Sequence, residues 1–103
     1  MIDFDGVLNE YKGNYDDQHL PEIKQGAKEF LVKLSEKFVI KIFTTRPQNK
    51  VNEWLILNTI DCVCGVTNVK EPAYLYIDDR CIRFKGDYDD MYSQIDNFKV
   101  WYK

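Results

Sequence analysis

Two aspartates near the start of the chain are spaced so that their side chains can share one pocket. Asp3 and Asp5 stand on either side of Phe4 and are followed by Gly6, and in an extended chain residues i and i+2 point to the same side. Two carboxylates this close repel each other unless a cation lies between them, and Mg²⁺ is a hard cation that suits oxygen ligands. The pair therefore indicates a magnesium site, although many solvated turns carry the same pattern.

A second polar cluster follows the apolar run at residues 38–43 and consists of Thr44, Thr45 and Arg46. A hydroxyl group at the end of a strand can donate a hydrogen bond to a phosphoryl oxygen, and Arg46 is placed to meet a second anionic group of a substrate. Two ordinary interpretations stay open. A threonine pair can also cap the turn after a strand, and an arginine can simply begin the next helix.

A third cluster is the acidic pair Asp78-Asp79, which follows the apolar run at residues 73–77. The pair would complete a set of oxygen ligands for Mg²⁺. Lys70, eight residues before Asp78, would offset the charge of the carboxylates and of a bound phosphate. Taken singly, the acidic pair is typical of a turn and Lys70 is typical of a protein surface.

Apolar periodicity predicts the elements that must position these clusters. The predicted strands cover residues 1–4, 38–43, 62–66 and 73–77, with a further short strand at 81–84. The predicted helices cover residues 26–38, 49–58 and 87–98, and a polar loop is expected at 5–20. This alternation indicates one α/β domain over residues 1–103, with a mainly parallel central sheet flanked by helices. In such sheets the chemistry lies at the carboxyl ends of the strands, where the three clusters fall.

Composition excludes several classes of protein. The formal net charge is −3, which gives no general attraction to nucleic acid or to anionic lipid, although a local basic groove stays open. No apolar run approaches the roughly 18 residues of a membrane span, and the first residues do not form a signal peptide. The odd set of three cysteines, Cys62, Cys64 and Cys81, indicates free reduced thiols. We therefore expect a cytoplasmic protein with no membrane partner.

The order and spacing of the clusters resemble the haloacid dehalogenase (HAD) superfamily of phosphohydrolases. The family's first motif, D-x-D-G-[TV], is matched at residues 3–7, and its second motif, a Ser or Thr after an apolar strand, is matched by Thr44. The third motif, a lysine, is matched by Lys70 in the run K-E-P-A, and the fourth, an acidic pair after a strand, is matched by Asp78-Asp79. The resemblance implies a Rossmann-like domain and a phosphatase that acts on phosphomonoesters.

The resemblance also implies a role for each matched residue. Asp3 would be the nucleophile that becomes an aspartyl-phosphate, and Asp5 would be the acid/base that protonates the leaving oxygen and then activates water. Thr44 and backbone amides near Gly6 would hold the phosphoryl oxygens, with Thr45 and Arg46 as further substrate contacts. These six residues would carry catalysis and substrate binding, and Lys70 would orient the nucleophile.

The same resemblance implies the ligands of a magnesium ion. Asp3 would contribute its carboxylate, Asp5 its backbone carbonyl and Asp79 its carboxylate, with Asp78 beside or behind the ion. Strand alternation supports the order within the pair, because adjacent side chains of an extended chain point to opposite sides. On that basis we expect Asp79 to face the site directly.

Two departures from the family bear on partners and activity. The inserts are too short for a cap domain, and capless relatives act on large substrates or form oligomers that close the site, so a homo-oligomer stays open. The run Ile77-Asp78-Asp79-Arg80 resembles nucleotidases and polynucleotide-end phosphatases, so a nucleotide or nucleic-acid end also stays open as the phosphorylated substrate, although the net negative charge argues mildly against nucleic acid. Only Met1 and Ile2 precede the nucleophile. This short strand favours an alternative, a non-catalytic module that binds phosphate or protein. The loop at 9–18 is a candidate substrate contact, and the lone histidine, His19, is given no catalytic role.

Overall fold

The computed structural model describes residues 1–11 and 20–101. Most of the predicted substrate-contact loop, at residues 12–18, and His19 lie outside the described residues. The elements are β1 (Ile2–Asp3), α1 (Ala27–Ser35), β2 (Lys41–Phe43), α2 (Gln48–Leu57), β3 (Gly65–Thr67) and α3 (Tyr88–Asn97). The strands form a parallel sheet in the order β1-β2-β3. The predicted mixed α/β class is confirmed in this coarse form.

The second side of β1 is occupied by the chain around Ile77. Ile2 forms a parallel bridge with Ile77. The amide of Asp3 donates to the carbonyl of Ile77 over 2.8 Å, and the amide of Ile77 donates to the carbonyl of Met1 over 2.9 Å. β1 therefore lies between β2 and this segment, so the chain that follows Ile77 leaves the sheet beside the end of β1.

Three strand predictions need correction. The run at 73–77 forms a single β-bridge, at Ile77, because β1 is only two residues long. One further bond joins the amino group of Met1 to the carbonyl of Leu75 over 2.8 Å, and Tyr74 and Leu75 are exposed. The strand predicted at 62–66 lies instead at 65–67, where it pairs with β2. No strand forms at 81–84, where apolar residues find no neighbouring strand to pair with. All three cysteines are free, as expected.

One apolar cluster joins the sheet to the first two helices. Ile2 and Ile42 come from the sheet, Leu31 from α1 and Trp54 from α2, and all are buried with Phe4. The rings of Phe4 and Trp54 meet edge to face with centroids 4.8 Å apart. Fully burying one such side chain stabilises the fold by about 1.5–3 kcal/mol. Phe4 thereby anchors the chain between Asp3 and Asp5.

The helix α3 begins where predicted but packs differently. The side chain of Asp87 accepts a hydrogen bond from the amide of Asp89 over 2.9 Å and so caps the helix N-terminus. None of its residues is buried, and the apolar residues that recur at helical spacing, Tyr88, Tyr92 and Ile95, are 75%, 69% and 58% exposed. Within the described residues, no helix has both the length and the apolar character needed to cross a membrane.

Candidate metal centre

Three carboxylates gather at the carboxyl ends of β1 and of the segment that bridges it. Asp3, Asp78 and Asp79 each offer an oxygen atom, and these atoms lie within 4.8 Å of one another. Asp3 is the last residue of β1, and Asp78 directly follows Ile77, the bridge partner of Ile2. The parallel pairing of these two segments therefore explains why side chains so far apart in the sequence converge.

Strand alternation does not separate the acidic pair, contrary to expectation. Asp78 and Asp79 both direct an oxygen toward Asp3. The extended conformation ends at Ile77 and the chain turns at Asp79 and Arg80, so the alternation rule no longer applies to the pair. The turn is held by the amide of Arg80, which donates to Asp78 Oδ1 over 2.9 Å. Asp79 is half-buried and Asp78 is exposed.

The electrostatics of this group favour a bound cation. Burial, followed by the charges of Asp78, Asp79 and Asp5, raises the pKa of Asp3 from 3.8 to about 8. Burial, followed by the charge of Asp78, also raises the pKa of Asp79. A cation between the carboxylates would reverse these effects, because an opposite charge favours the ionised form. Carboxylate oxygens are the ligands that hard divalent ions prefer. This group of three acidic side chains could therefore hold a metal ion.

Gly6 packs directly against the side chain of Asp79. Its backbone φ is +84°, and a Cβ built on Gly6 would lie 2.2 Å from Asp79 Oδ2. Any other residue would therefore be strained in its backbone and would also push Asp79 away. The structure thus places Gly6, a predicted substrate contact, against the carboxylate of Asp79.

Asp5 lies near this group, but its carboxylate is turned toward Arg46. Arg46 Nε donates to Asp5 Oδ1 over 3.0 Å and to Oδ2 over 2.8 Å. The charge of Asp5 still contributes to the raised pKa of Asp3. β1 ends at Asp3 and the backbone turns before Asp5, so strand alternation does not determine where the Asp5 side chain lies; the group of three carboxylate oxygens is formed without it.

The second cluster is placed at the end of β2, as predicted. Thr44 is buried, and its hydroxyl oxygen accepts a hydrogen bond from the amide of Arg46 over 3.0 Å. This contact caps the turn and leaves the hydroxyl proton free to be donated elsewhere. Arg46 is only 1% exposed, and its contact with a second anionic group of a substrate stays a prediction. Thr45 is exposed.

Lys70 lies over the ring of Tyr76 and not on the carboxylates. The residue is exposed, and its Nζ lies 4.5 Å from the centroid of the Tyr76 ring. Among the described residues, the ion pairs are Lys41 with Glu71 and Arg46 with Asp5, so Lys70 does not contact Asp3 in this conformation. Its role in orienting the nucleophile stays a prediction.

Two residues beside the site make contacts that the sequence did not predict, and one of them, Asn9, begins the loop named as a candidate substrate contact. Asn9 is fully buried; its Nδ2 donates to Asp5 Oδ1 over 3.3 Å, and its Oδ1 accepts from the amides of Gly6 and Tyr11. Trp101 Nε1 donates to the carbonyl of Gly6 over 2.6 Å. Asparagine often bonds the backbone two residues ahead in turns, and this tendency was the available signal for Asn9. The short tail carries no comparable signal for Trp101.

Comparison with known proteins found no match, so the site is interpreted from its own geometry. No protein-family model matches the chain, and neither a curated protein nor a solved structure matches it.

Proposed function

We propose that the chain is a magnesium-dependent phosphohydrolase of the HAD type, which cleaves phosphomonoesters through a phosphorylated Asp3. The observation that carries this proposal is the convergence of the Asp3, Asp78 and Asp79 oxygens within 4.8 Å. The three residues come from the ends of two parallel neighbouring segments. In an α/β sheet, ligands bind at the edge formed by the carboxyl ends of the strands. The sequence resemblance assigns the same three residues to the nucleophile and the metal ligands.

Asp3, Asp78 and Asp79 would hold the magnesium ion. When bound, the ion would neutralise these carboxylates and the phosphoryl oxygens of the substrate. The raised pKa of Asp3, about 8, explains why the protein would need such a partner. A protonated carboxyl group is a poor nucleophile, so near neutral pH Asp3 becomes reactive only when its repulsion by Asp78 and Asp79 is offset.

The proposed reaction has two steps. In the first, an oxygen of Asp3 forms a bond to phosphorus as the ester oxygen leaves, and Asp5 gives its proton to that oxygen. In the second, the Asp5 carboxylate takes a proton from water, the water oxygen attacks phosphorus, and the bond to Asp3 breaks. The Thr44 hydroxyl group would donate to a phosphoryl oxygen. Splitting one displacement into two steps lowers the barrier to each.

A second candidate function is a module that binds a divalent cation or phosphate without turnover. Two observations favour it. Both oxygens of Asp5 are held by Arg46, and Lys70 lies on the ring of Tyr76 and not on Asp3. In such a module Asp3, Asp78 and Asp79 would bind the ion, but no proton transfer would follow.

Turnover of 4-nitrophenyl phosphate separates the two functions. A phosphohydrolase should release 4-nitrophenol with added Mg²⁺, lose activity in EDTA and regain it with excess Mg²⁺. Asp96→Asn is the matched control for changes at Asp3, because Asp96 is an exposed aspartate of α3 far along the chain from the site. Magnesium binding measured by calorimetry without any turnover would support the binding module and contradict the phosphohydrolase.

A further inference from the structure

A cavity lies toward the amino ends of the strands, at the opposite end of the sheet from the acidic group. Its volume is about 250 Å³. Ile2 of β1, Leu34 near the end of α1 and Leu75 of the segment that bridges β1 all line it. A cavity of about 150 Å³ lined by apolar side chains can hold benzene, so this one has room for a small ligand with an apolar body.

Two aromatic rings form part of the lining. Phe38 and Tyr74 both border the cavity, with ring centroids 6.0 Å apart and ring planes inclined by 12°. Both side chains are exposed, so they can still bury surface against a ligand, and an aromatic group packs well against such rings in an offset arrangement. The lining therefore favours a ligand that carries an aromatic or branched apolar group.

An ion pair stands where the cavity meets solvent. Among the described residues that line the cavity, the charged side chains are those of Lys41 and Glu71. Lys41 Nζ donates to Glu71 Oε1 over 2.7 Å, and both side chains are partly exposed. The hydrogen bond to Glu71, followed by the charge of Glu71, raises the pKa of Lys41, so the ammonium group is ionised at neutral pH. Small-molecule sites combine an apolar lining with a few polar groups of this kind.

This ion pair keeps capacity on both of its members. An ammonium group has three N–H donors, and within the described part of the chain Lys41 Nζ uses one of them. The pair uses Oε1 of Glu71, and no described residue donates to Oε2. A molecule that presents a carboxylate beside an ammonium group can therefore bind both members and leave the pair intact. An α-amino acid carries these two groups and its side chain on one carbon atom.

We propose that this cavity binds a free α-amino acid with an apolar side chain of the size of leucine or phenylalanine. The carboxylate of the amino acid accepts from Lys41 Nζ, its ammonium group donates to Glu71 Oε2, and its side chain enters the cavity beside Phe38 and Tyr74. Glu71 repels a lone anion and Lys41 repels a lone cation, so the pair selects a zwitterion. A peptide end carries one of the two groups, so the ligand is the free amino acid. The site shares no residue with the acidic group.

The test titrates the whole chain with three ligands that share a phenyl ring. L-Phenylalanine carries both charges, 3-phenylpropanoate lacks the ammonium group and 2-phenylethylamine lacks the carboxylate. Each missing contact is a hydrogen bond to a charged group, so its loss should weaken binding by about 10-fold or more. L-Alanine buries only a methyl group and should bind at least about 10-fold more weakly than L-leucine. Calorimetry measures the affinities, and ligand-observed NMR checks them.

Variants of the ion pair assign each charge of the ligand to its partner. Lys41→Gln should weaken L-phenylalanine by about 10-fold or more and should not weaken 2-phenylethylamine, because that ligand has no carboxylate to lose a contact. Glu71→Gln should likewise weaken L-phenylalanine and not 3-phenylpropanoate. Lys33→Gln on α1 and Glu53→Gln on α2 are the matched controls. Each removes an exposed charge of the same sign outside the cavity and should keep the wild-type affinity.

Ala73→Phe tests the cavity itself. Ala73 lines the cavity and is exposed, so a larger side chain there should occupy the cavity, keep both charges and keep the fold by circular dichroism. Because the apolar group of the ligand then loses its place of burial, the affinity for L-phenylalanine should fall by about 10-fold or more.

Three results would overturn the inference. The first is the absence of binding of L-phenylalanine and L-leucine at millimolar concentration. The second is equal affinity for the three phenyl ligands, which would show an apolar cavity without recognition of an amino acid. The third is unchanged affinity in folded Ala73→Phe, which would place the ligand elsewhere. The comparison of ligands uses the unaltered chain, so it decides the question even if a variant does not fold. None of these results depends on the turnover of phosphate esters.

Discussion

Gly6 and Asp79 are in contact with no room for a methyl group between them. A Cβ on Gly6 would lie 2.2 Å from Asp79 Oδ2 and 2.8 Å from its Cγ. Gly6 follows β1 and Asp79 follows the segment bridged to it, so this contact sets the distance between the two halves of the acidic group. The position of the Asp79 carboxylate depends on the absence of a side chain at Gly6.

Replacing Gly6 with alanine should therefore weaken metal binding. The added methyl group would move Asp79 away from Asp3 and Asp78, and displacing the groups that orient a metal ligand typically costs about 10–100-fold in affinity or activity. We expect Gly6→Ala to lower Mg²⁺ affinity, measured by calorimetry, by about 10-fold or more.

Gly26→Ala is the matched control for this change. Gly26 has a nearly identical φ of +88°, but a Cβ there would meet nothing within 4 Å. Both variants place alanine in left-handed backbone, which costs roughly 1–3 kcal/mol of stability, and only Gly6→Ala should lose metal affinity. Equal Mg²⁺ affinity in the two variants would show that Gly6 does not position Asp79.

Asp3→Asn should abolish turnover and keep the fold. Asparagine has almost the same shape as aspartate, but its amide is a poor nucleophile. We expect the turnover of 4-nitrophenyl phosphate to fall by at least about 10³-fold if covalent catalysis carries the reaction. Asp96→Asn, on exposed α3, should keep wild-type activity, and appreciable turnover by Asp3→Asn would rule out the proposed nucleophile.

Without metal, the protein should lose stability as the pH rises from about 4 to about 8. The pKa of Asp3 is about 8 in the folded protein against an ordinary 3.8, so between these values the folded state binds a proton that the unfolded state has released. Stability is then complete below the lower pKa and declines through this window. The raised pKa of Asp79 acts in the same direction.

Thermal unfolding in EDTA and in Mg²⁺ checks this sign. In EDTA near pH 8, Asp3→Asn should have a higher melting temperature than the wild type, because the substitution removes the Asp3 charge that the neighbouring carboxylates repel. Solvent reaches the half-buried carboxylate and screens much of the repulsion, so we expect a difference of about 4–8 °C, the effect of about 1 kcal/mol in a domain of this size. Mg²⁺ should raise the wild-type melting temperature most at high pH. A wild-type melting temperature that rises with pH in EDTA would contradict the prediction.

Metal binding should depend more on Asp79 than on Asp78, although both direct an oxygen toward Asp3. Asp79 is half-buried against Gly6, whereas Asp78 is exposed and one of its oxygens accepts from the amide of Arg80. We expect Asp78→Asn to lower Mg²⁺ affinity by about 10-fold and Asp79→Asn to lower it further. Titrating both variants with Mg²⁺ tests the order, and a larger loss in Asp78→Asn would reverse it.

The sequence was informative where a local pattern decides the structure. The helices over Val51 and Leu31 follow from apolar spacing, and the clusters at Asp3, Thr44 and Asp78 follow from the rule that polar residues end parallel strands. The position of Asp5 could not be predicted in this way. Its partner, Arg46, is 41 residues away, and the alternation rule fails one residue after β1 ends.

Pairing explains the other difference between sequence and structure. The run at 73–77 has a stronger strand pattern than β1, yet only Ile77 forms a β-bridge. A β-strand needs backbone partners as well as suitable side chains, and β1 supplies them over two residues. Tyr74 and Leu75 remain exposed for that reason.

Because its apolar face is exposed, α3 should unfold locally at a lower free energy than the core of the molecule. An isolated helix of fewer than about 12–15 residues is marginal in water, and α3 has 10 residues with none buried. Its N-terminal cap contributes only about 1 kcal/mol. The amides of α3 should therefore exchange with deuterium through local opening, long before those of α2, where Val51 and Trp54 tie exchange to unfolding of the whole core.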